Sequence, residues 1–213
     1  MSAHPHFLIL KWPGGTSADL APFAAACEAT GGLILAAAPA SAVEVLEKPT
    51  TRHGALLIAR FAHAHELDAA WGARPHDPPQ GAQALAAPGL AWEGWPGDFV
   101  PTIATVDVPA GDGLRAFMLI EGTGTDEERM DAYRGIILPM LRERGAYYPA
   151  FEFGGGVRAL QGAFDYAFLA ISRWPDIGRA RDFWYCDRYQ KVAIPMRTGA
   201  GSFEVQLCEG VAG

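Results

Sequence analysis

The chain carries one pattern twice, and this limits its fold more than any single motif does. Residues 55–71 read ALLIARFAHAHELDAAW, and residues 167–184 read AFLAISRWPDIGRARDFW. Each stretch is an apolar strand ending in Arg-aromatic, a short turn, and a helix ending in Trp. Arg60 maps onto Arg173, Phe61 onto Trp174 and Trp71 onto Trp184, with an offset of 113 each time. The same offset carries Gly32 onto Gly145. Near the N-terminal strand the offset falls to 110, a loop-length difference. The copies run roughly over 5–96 and 114–211. This divides the chain into a diverged first half (1–96), a proline- and glycine-rich linker (97–113) and a second half (114–213).

Both copies follow one order of elements. A strand opens each (His6–Trp12, Arg115–Glu121), and a helix follows. Thr16 or Ser17 can cap the first helix, and Leu20, Phe23, Ala24 and Cys27 make its apolar face. In the second copy Thr125 precedes three acids and suits an N-cap, and Met130, Tyr133, Ile137 and Leu141 form the face. Two strands around a bend come next: Leu33–Ala38 with Val43–Glu47, and Tyr147–Phe153 with Val157–Gln161 across Gly154-Gly155-Gly156. A further strand follows (Ala55–Phe61, Tyr166–Trp174), then a second helix. Pro175 and Asp176 are placed for the first turn of that helix in the second copy. A last strand closes each copy, Gly89–Trp95 and Ser202–Cys208. Gly72–Pro88 reads as a long loop, and Val100–Val108 as an extra edge strand.

This order is β-α-β-β-α-β, the split-βαβ ferredoxin-like plan. An antiparallel sheet covered by helices on one face leaves the other face bare. Two tandem copies can bury their bare faces against each other. The expected fold is α+β, with two ferredoxin-like units packed sheet to sheet as an intramolecular dimeric α/β-barrel. Half of the 213 residues are hydrophobic, enough for such a core. The formal charge of −7 supplies no basic footprint for nucleic acid. No apolar run reaches the ~20 residues of a membrane span, and the N-terminus lacks a signal-peptide pattern. Three scattered cysteines without a CxxC argue against zinc or a disulfide framework, and fit a reducing cytoplasm.

The second copy resembles the DUF1330 family of the dimeric α/β-barrel superfamily. The resemblance runs through Asp131-Ala-Tyr133-Arg134, Pro139, the Gly154–Gly156 bend, Leu160-Gln-Gly162, Trp174-Pro175, Ala180, Phe183-Trp184, Tyr189 and Arg197. It covers some 95 residues. The first copy matches weakly. The resemblance implies a unit that pairs into a barrel. The superfamily's activities include cofactor-independent oxygenases, polyketide cyclases, isomerases and haem enzymes, while DUF1330 itself implies no defined reaction. Family members often carry a basic residue just before the glycine bend, where this chain has Phe153.

The copies have specialised. All six histidines (His4, His6, His53, His63, His65, His76) lie in the first, and all six tyrosines (Tyr133, Tyr147, Tyr148, Tyr166, Tyr185, Tyr189) lie in the second. The second copy is therefore the expected site holder and the first the scaffold. A cavity is expected between the helices and the sheet face they cover. Glu121, Glu152 and Arg173 are polar residues on strands and the catalytic candidates, since burying them unpaired costs energy. They read either as an ion pair tying strands together or as an acid/base carboxylate with an anion-holding arginine. The substrate-binding candidates are Tyr133, Tyr148, Trp174, Trp184, Tyr189 and Arg197. Arg197 suits either bidentate binding of a carboxylate or capping of helix carbonyls. The tryptophans and Tyr133 suit either core or the wall of a pocket for a flat apolar ligand. His63 and His65 read as a solvated helix start rather than a metal pair, with His53 the one plausible companion. The triple glycine reads as a strand bend, because the lysine and helix of a phosphate loop do not follow it.

Two functions remain. One is a small-molecule enzyme working without metal, nucleotide or other cofactor. Its substrate would be hydrophobic, aromatic or polyketide-like, and its reaction an isomerisation, a cyclisation or a cofactor-free oxidation. The other is a non-catalytic ligand-binding or structural barrel module. A haem enzyme is a weaker third option, since no histidine lies in the preferred copy. The expected partner is a small hydrophobic molecule, with no nucleic acid and no membrane. The expected state is a monomeric pseudo-dimer or a homodimer.

Overall fold

The computed structural model describes residues 4–47, 54–90, 114–153 and 155–211. The first half contributes β1 (His6–Trp12), α1 (Ser17–Ala29), β2 (Leu33–Ala38), β3 (Glu44–Glu47), β4 (Ala55–Phe61), α2 (Ala64–Gly72) and β5 (Gln83–Pro88). The second contributes β6 (Ala116–Gly122), α3 (Glu127–Glu143), β7 (Tyr147–Phe153), β8 (Arg158–Gln161) and β9 (Phe168–Trp174). It ends with α4 (Ile177–Tyr185), a π-helical turn (Tyr189–Ala193), α5 (Ile194–Arg197) and β10 (Phe203–Glu209).

The strands form two five-stranded sheets, ordered β2-β4-β1-β5-β8 and β3-β10-β6-β9-β7. Four strands of each come from one half, in the ferredoxin-like arrangement. The fifth is exchanged: β8 of the second half pairs with β5, and β3 of the first pairs with β10. Each half therefore covers the edge strand of the other's sheet, and the short β8 and β3 become the outer strands.

Alternation along the strands sorts side chains into layers. Phe7 and Ile9 of β1 face inward, with Leu56, Ile58, Phe117, Leu119, Leu169, Ile171 and Cys208, and make the core between the sheets. Leu8 and Leu10 face outward onto Leu20, Phe23 and Cys27 of α1 and Leu67 of α2. On the far side Met118, Ala170, Trp174 and Val205 meet α3 and α4 through Met130, Ile137, Leu141 and Phe183. The result is helix, sheet, sheet, helix, the expected packing.

The N-caps depart from expectation at one point. Thr16 caps α1 through a capping box with Asp19, and Asp176 caps α4. Asp126, not Thr125, caps α3, its carboxylate accepting from Arg129 N at 3.1 Å. The Thr125 hydroxyl donates instead to Ala200 O at 3.0 Å. The last strand of the first half also differs: β5 is Gln83–Pro88, within the stretch expected to be a loop, while Gly89 and Leu90 of the expected strand lie past its end and residues 91–95 lie outside the described residues. The reason is composition: Gln-Ala-Leu-Ala-Ala-Pro gives almost no period-2 contrast, so pairing with β1 decides it. The edge strand expected at 100–108, the linker 97–113 and His53 lie outside the described residues.

The pseudo-symmetry is sharpest where charges have inverted. Register makes Lys11 of β1 and Glu121 of β6 equivalent, and the two form a fully buried ion pair between the sheets. Glu204 lies 3.6 Å from the same ammonium. Glu44 on the exchanged β3 binds Arg181 of α4 at 2.8 Å. Its equivalent on the exchanged β8, Arg158, pairs with Asp68 of α2, the counterpart of Arg181.

Candidate functional site

A cavity of about 60 Å³ lies between the outer face of the second sheet and helices α3, α4 and α5. It occupies the layer where the sequence places a ligand. The sheet supplies Met118, Ala170, Trp174, Phe203 and Val205, and α3 supplies Met130, Tyr133, Ile137 and Leu141. The strand residues project there because their neighbours in sequence are committed to the inter-sheet core. Tyr133, Tyr148, Trp174, Trp184, Tyr189 and Arg197, the six expected binding residues, all line this one cavity.

Aromatic packing fixes its back wall. Trp174 and Phe183 lie 5.0 Å apart, Phe183 and Tyr189 4.5 Å, and Trp184 and Tyr189 4.9 Å, within the range of favourable ring pairs. Trp174 Nε1 donates to Ser172 Oγ at 3.0 Å, so the indole is satisfied in an apolar place. Tyr189 opens the π-helical turn, whose wider winding interrupts the helical run between α4 and α5.

One corner is polar. The Tyr133 and Tyr189 hydroxyls hydrogen-bond each other at 2.9 Å. Burial raises the pKa of both phenols, so they are neutral across the physiological range. Arg197, 3 % exposed, sits between the rings of Phe203, Tyr133 and Trp184, at 4.3, 5.6 and 6.0 Å from their centroids. Its two terminal nitrogens clasp both oxygens of Glu47, the Nη1–Oε1 contact being 3.1 Å. Glu47 belongs to β3, so the first half supplies the acid that holds the cavity's arginine. Burial alone would lower the Arg197 pKa. The surrounding tyrosines and Glu47 more than offset it, and the guanidinium stays charged. Arg197 Nε is buried and has no hydrogen-bond partner among the described residues. Of the two alternatives for Arg197, the structure shows a bidentate grip on a carboxylate, that of Glu47, while Arg129 takes nearby carbonyls, its Nε donating to Met196 O and its Nη2 to Thr198 O at 2.6 Å.

None of the three expected catalytic residues lines the cavity. All three lie on the opposite face of their sheet. Glu121 follows Phe117 and Leu119 into the inter-sheet core and meets Lys11. Arg173 follows Leu169 and Ile171, and its Nη1 donates to the Tyr147 hydroxyl at 2.9 Å. Glu121 is opposite Leu169 and Arg173 opposite Phe117, four residues apart along the strands, so this register does not bring the acid and the arginine together. Glu152 accepts from Gly156 N at 3.0 Å and closes the glycine bend. A Cβ at Gly156 would push that carboxylate aside and break the closing bond, and Gly155 has a φ of +111°.

His63 and His65 stack at 5.3 Å at the start of α2. Among the described residues no group of three or more His, Cys, Asp and Glu is placed to hold a metal. No helix among them is long and apolar enough to cross a membrane. A second cavity of about 170 Å³ adjoins His6, Leu67 and Ala86 of the first half and Arg158 on the exchanged β8. Its arginine is already paired with Asp68. A haem does not fit the aromatic cavity, whose free volume of about 60 Å³ falls far short of a macrocycle's.

The layers, the exchanged edges and a cavity under the helices of one half define the dimeric α/β-barrel class. Residues 115–211 match the family described as a domain of unknown function, DUF1330. Among solved structures, an anthrone oxidase-like protein shares 13 % identity and a TM-score of 0.50, covering 99 % of this chain and 92 % of its own. A candidate monooxygenase from Fusobacterium nucleatum shares 9 % identity and a TM-score of 0.50, covering 100 % and 94 %. A chlorite dismutase variant from Candidatus Nitrospira defluvii shares 9 % at a TM-score of 0.49, covering 97 % and 92 %. These likenesses concern the fold. No curated protein matches the sequence.

Proposed function

We propose that the cavity of the second half is the site of a small-molecule enzyme acting on a hydrophobic, aromatic or polyketide-like substrate. The reaction class is isomerisation, cyclisation or cofactor-free oxidation. The supporting observation is the cavity's division into a large apolar wall and one polar corner, the usual make-up of a ligand site. Flat aromatic walls suit a flat ring. In the corner, Tyr133 and Tyr189 share one hydroxyl proton between them and leave the other free to donate. A phenol O–H and a guanidinium are donors that stabilise negative charge developing on a substrate oxygen, the demand made by enolisation. The acid/base work first expected of Glu152 and Glu121 passes to this corner, because those carboxylates face away from it.

A second reading, a non-catalytic binding module, is favoured by the modest free volume and by the absence of a carboxylate from the cavity lining. Turnover separates the two. A panel of enolisable aromatic ketones and polyketide-like phenols is followed by absorbance and oxygen uptake, with wild type and Tyr189→Phe compared. The enzyme reading expects turnover that Tyr189→Phe reduces at least ~100-fold, the scale of general acid–base contributions. Saturable binding with no turnover of any panel member would leave the binding module as the function.

A further inference from the structure

The arginine of the cavity has its charge already answered. Arg197 was a natural anchor for a substrate carboxylate, yet both of its terminal nitrogens are held by Glu47, delivered by the strand that the first half lends to the second sheet. The pair is net neutral, and an anionic ligand beside it would sit close to the Glu47 carboxylate in an apolar surround, where like charges repel strongly. Glu47 takes one hydrogen from each terminal nitrogen, and of the three guanidinium hydrogens that remain, the one on Arg197 Nε is buried and without a partner among the described residues, in a side chain that lines the cavity. One buried N–H without an acceptor is costly, and a ligand oxygen relieves it.

The corresponding place in the first half explains why the device exists once only. Gln161 is the register equivalent of Glu47, since Glu47 lies opposite Val205 and Gln161 opposite Ala84. Gln161 donates to the carbonyls of Pro78 and Pro79 at 3.0 and 3.3 Å, and meets no arginine there.

We infer that the cavity selects a neutral ligand bearing a carbonyl or similar oxygen acceptor, an aromatic ketone in the simplest case, and rejects the matching carboxylate, with Glu47 as the specificity-determining residue. This rests on the reading of the cavity as a ligand site. Glu47 acts through Arg197 as a positioning residue and sets the charge that a ligand meets.

The test uses the full chain and a matched pair of single-ring probes, acetophenone and benzoate, titrated by calorimetry at pH 7. The wild type should bind acetophenone at least ~10-fold tighter than benzoate. Glu47→Gln frees the guanidinium's charge and should raise benzoate affinity at least ~10-fold, cancelling most or all of the preference. Glu47→Asp should restore the wild-type order. Glu47 is half-buried at its strand end, so the Gln variant is expected to fold, and its melting curve checks this. A wild type that prefers benzoate, or a Glu47→Gln variant with an unchanged ratio, overturns the inference while leaving the ligand site intact. Failure of both probes to bind the wild type overturns the reading of the cavity as a ligand site, and the inference with it.

Discussion

Tyr189 joins the packing of the cavity wall to the polar corner proposed as the site. Its ring touches Phe183 and Trp184, while its hydroxyl reaches Tyr133. Tyr189→Phe removes only the oxygen. It should lower stability by about 0.5–1.5 kcal/mol, the net worth of one hydrogen bond, as read from denaturant melts. A far larger loss would mean that the hydroxyl is structural rather than functional. The cysteines give a separate check. Burial pushes the thiols of Cys27 and Cys208 up to about 12, while Cys186 is half-buried. Native protein at pH 8 should label at Cys186 alone, which peptide mass spectrometry resolves. Because both buried thiols have folded values above their unfolded ones, their contribution to stability is complete below about pH 9. It is then lost as pH rises toward 12. Rapid labelling of Cys27 in the folded state would contradict this.

Among the elements, the short exchanged strands do the most with the least. Each is four residues long, yet β3 carries both Glu44 and Glu47 to the other half. Burial would raise the Glu44 carboxyl, but hydrogen bonds from Tyr185 and Arg181 outweigh it and hold the carboxyl below its usual value. A depressed carboxylate contributes stability above its unfolded pKa, about 4.3, and loses it as pH falls through the lower folded value. Glu44→Gln should therefore flatten the acid limb of a stability–pH curve, measured by urea melts between pH 3 and 6. An unchanged slope would place the acid sensitivity elsewhere.

The same elements show what was readable beforehand. The helices and their apolar faces follow from spacing, and so do the strands rich in large or β-branched residues. Of the six cavity residues, Tyr133 could be named from helical spacing, and Tyr189 and Arg197 from the resemblance to a family pattern. The face that Glu121, Glu152 and Arg173 take could not be read. These strands are buried on both sides, so apolar residues alternate with apolar residues and period 2 marks no inside. Glu47 was missed for a different reason: only pairing between the halves brings it to Arg197, and a four-residue strand announces no partner. Strand β5 was hidden by its alanines.

At the scale of the whole molecule, the two halves have become complementary rather than equal. Equivalent positions that would be identical in a homodimer carry Lys11 and Glu121, and here they meet in the inter-sheet core. Breaking a buried pair by removing one partner costs about 3–5 kcal/mol. Lys11→Met should lower the melting temperature by on the order of 10 °C, given about 2–4 °C per kcal/mol at this size. The exchange Lys11→Glu with Glu121→Lys should recover most of that loss, because it keeps one charge of each sign at the axis. A double variant no more stable than Lys11→Met would show that the pair's location, not its complementarity, matters. Divergence of this kind also frees one half to keep a cavity while the other lends its arginine a carboxylate.

The central claim is that the second half's cavity takes up a small molecule, and native mass spectrometry beside the denatured mass tests it most directly. Wild-type protein equilibrated with acetophenone should show one added mass that disappears on denaturation. Ala170→Leu, which fills the cavity from β9, should show none while melting cooperatively. A folded Ala170→Leu protein that carries the added mass as readily as the wild type would contradict the claim, because the ligand would then lie elsewhere.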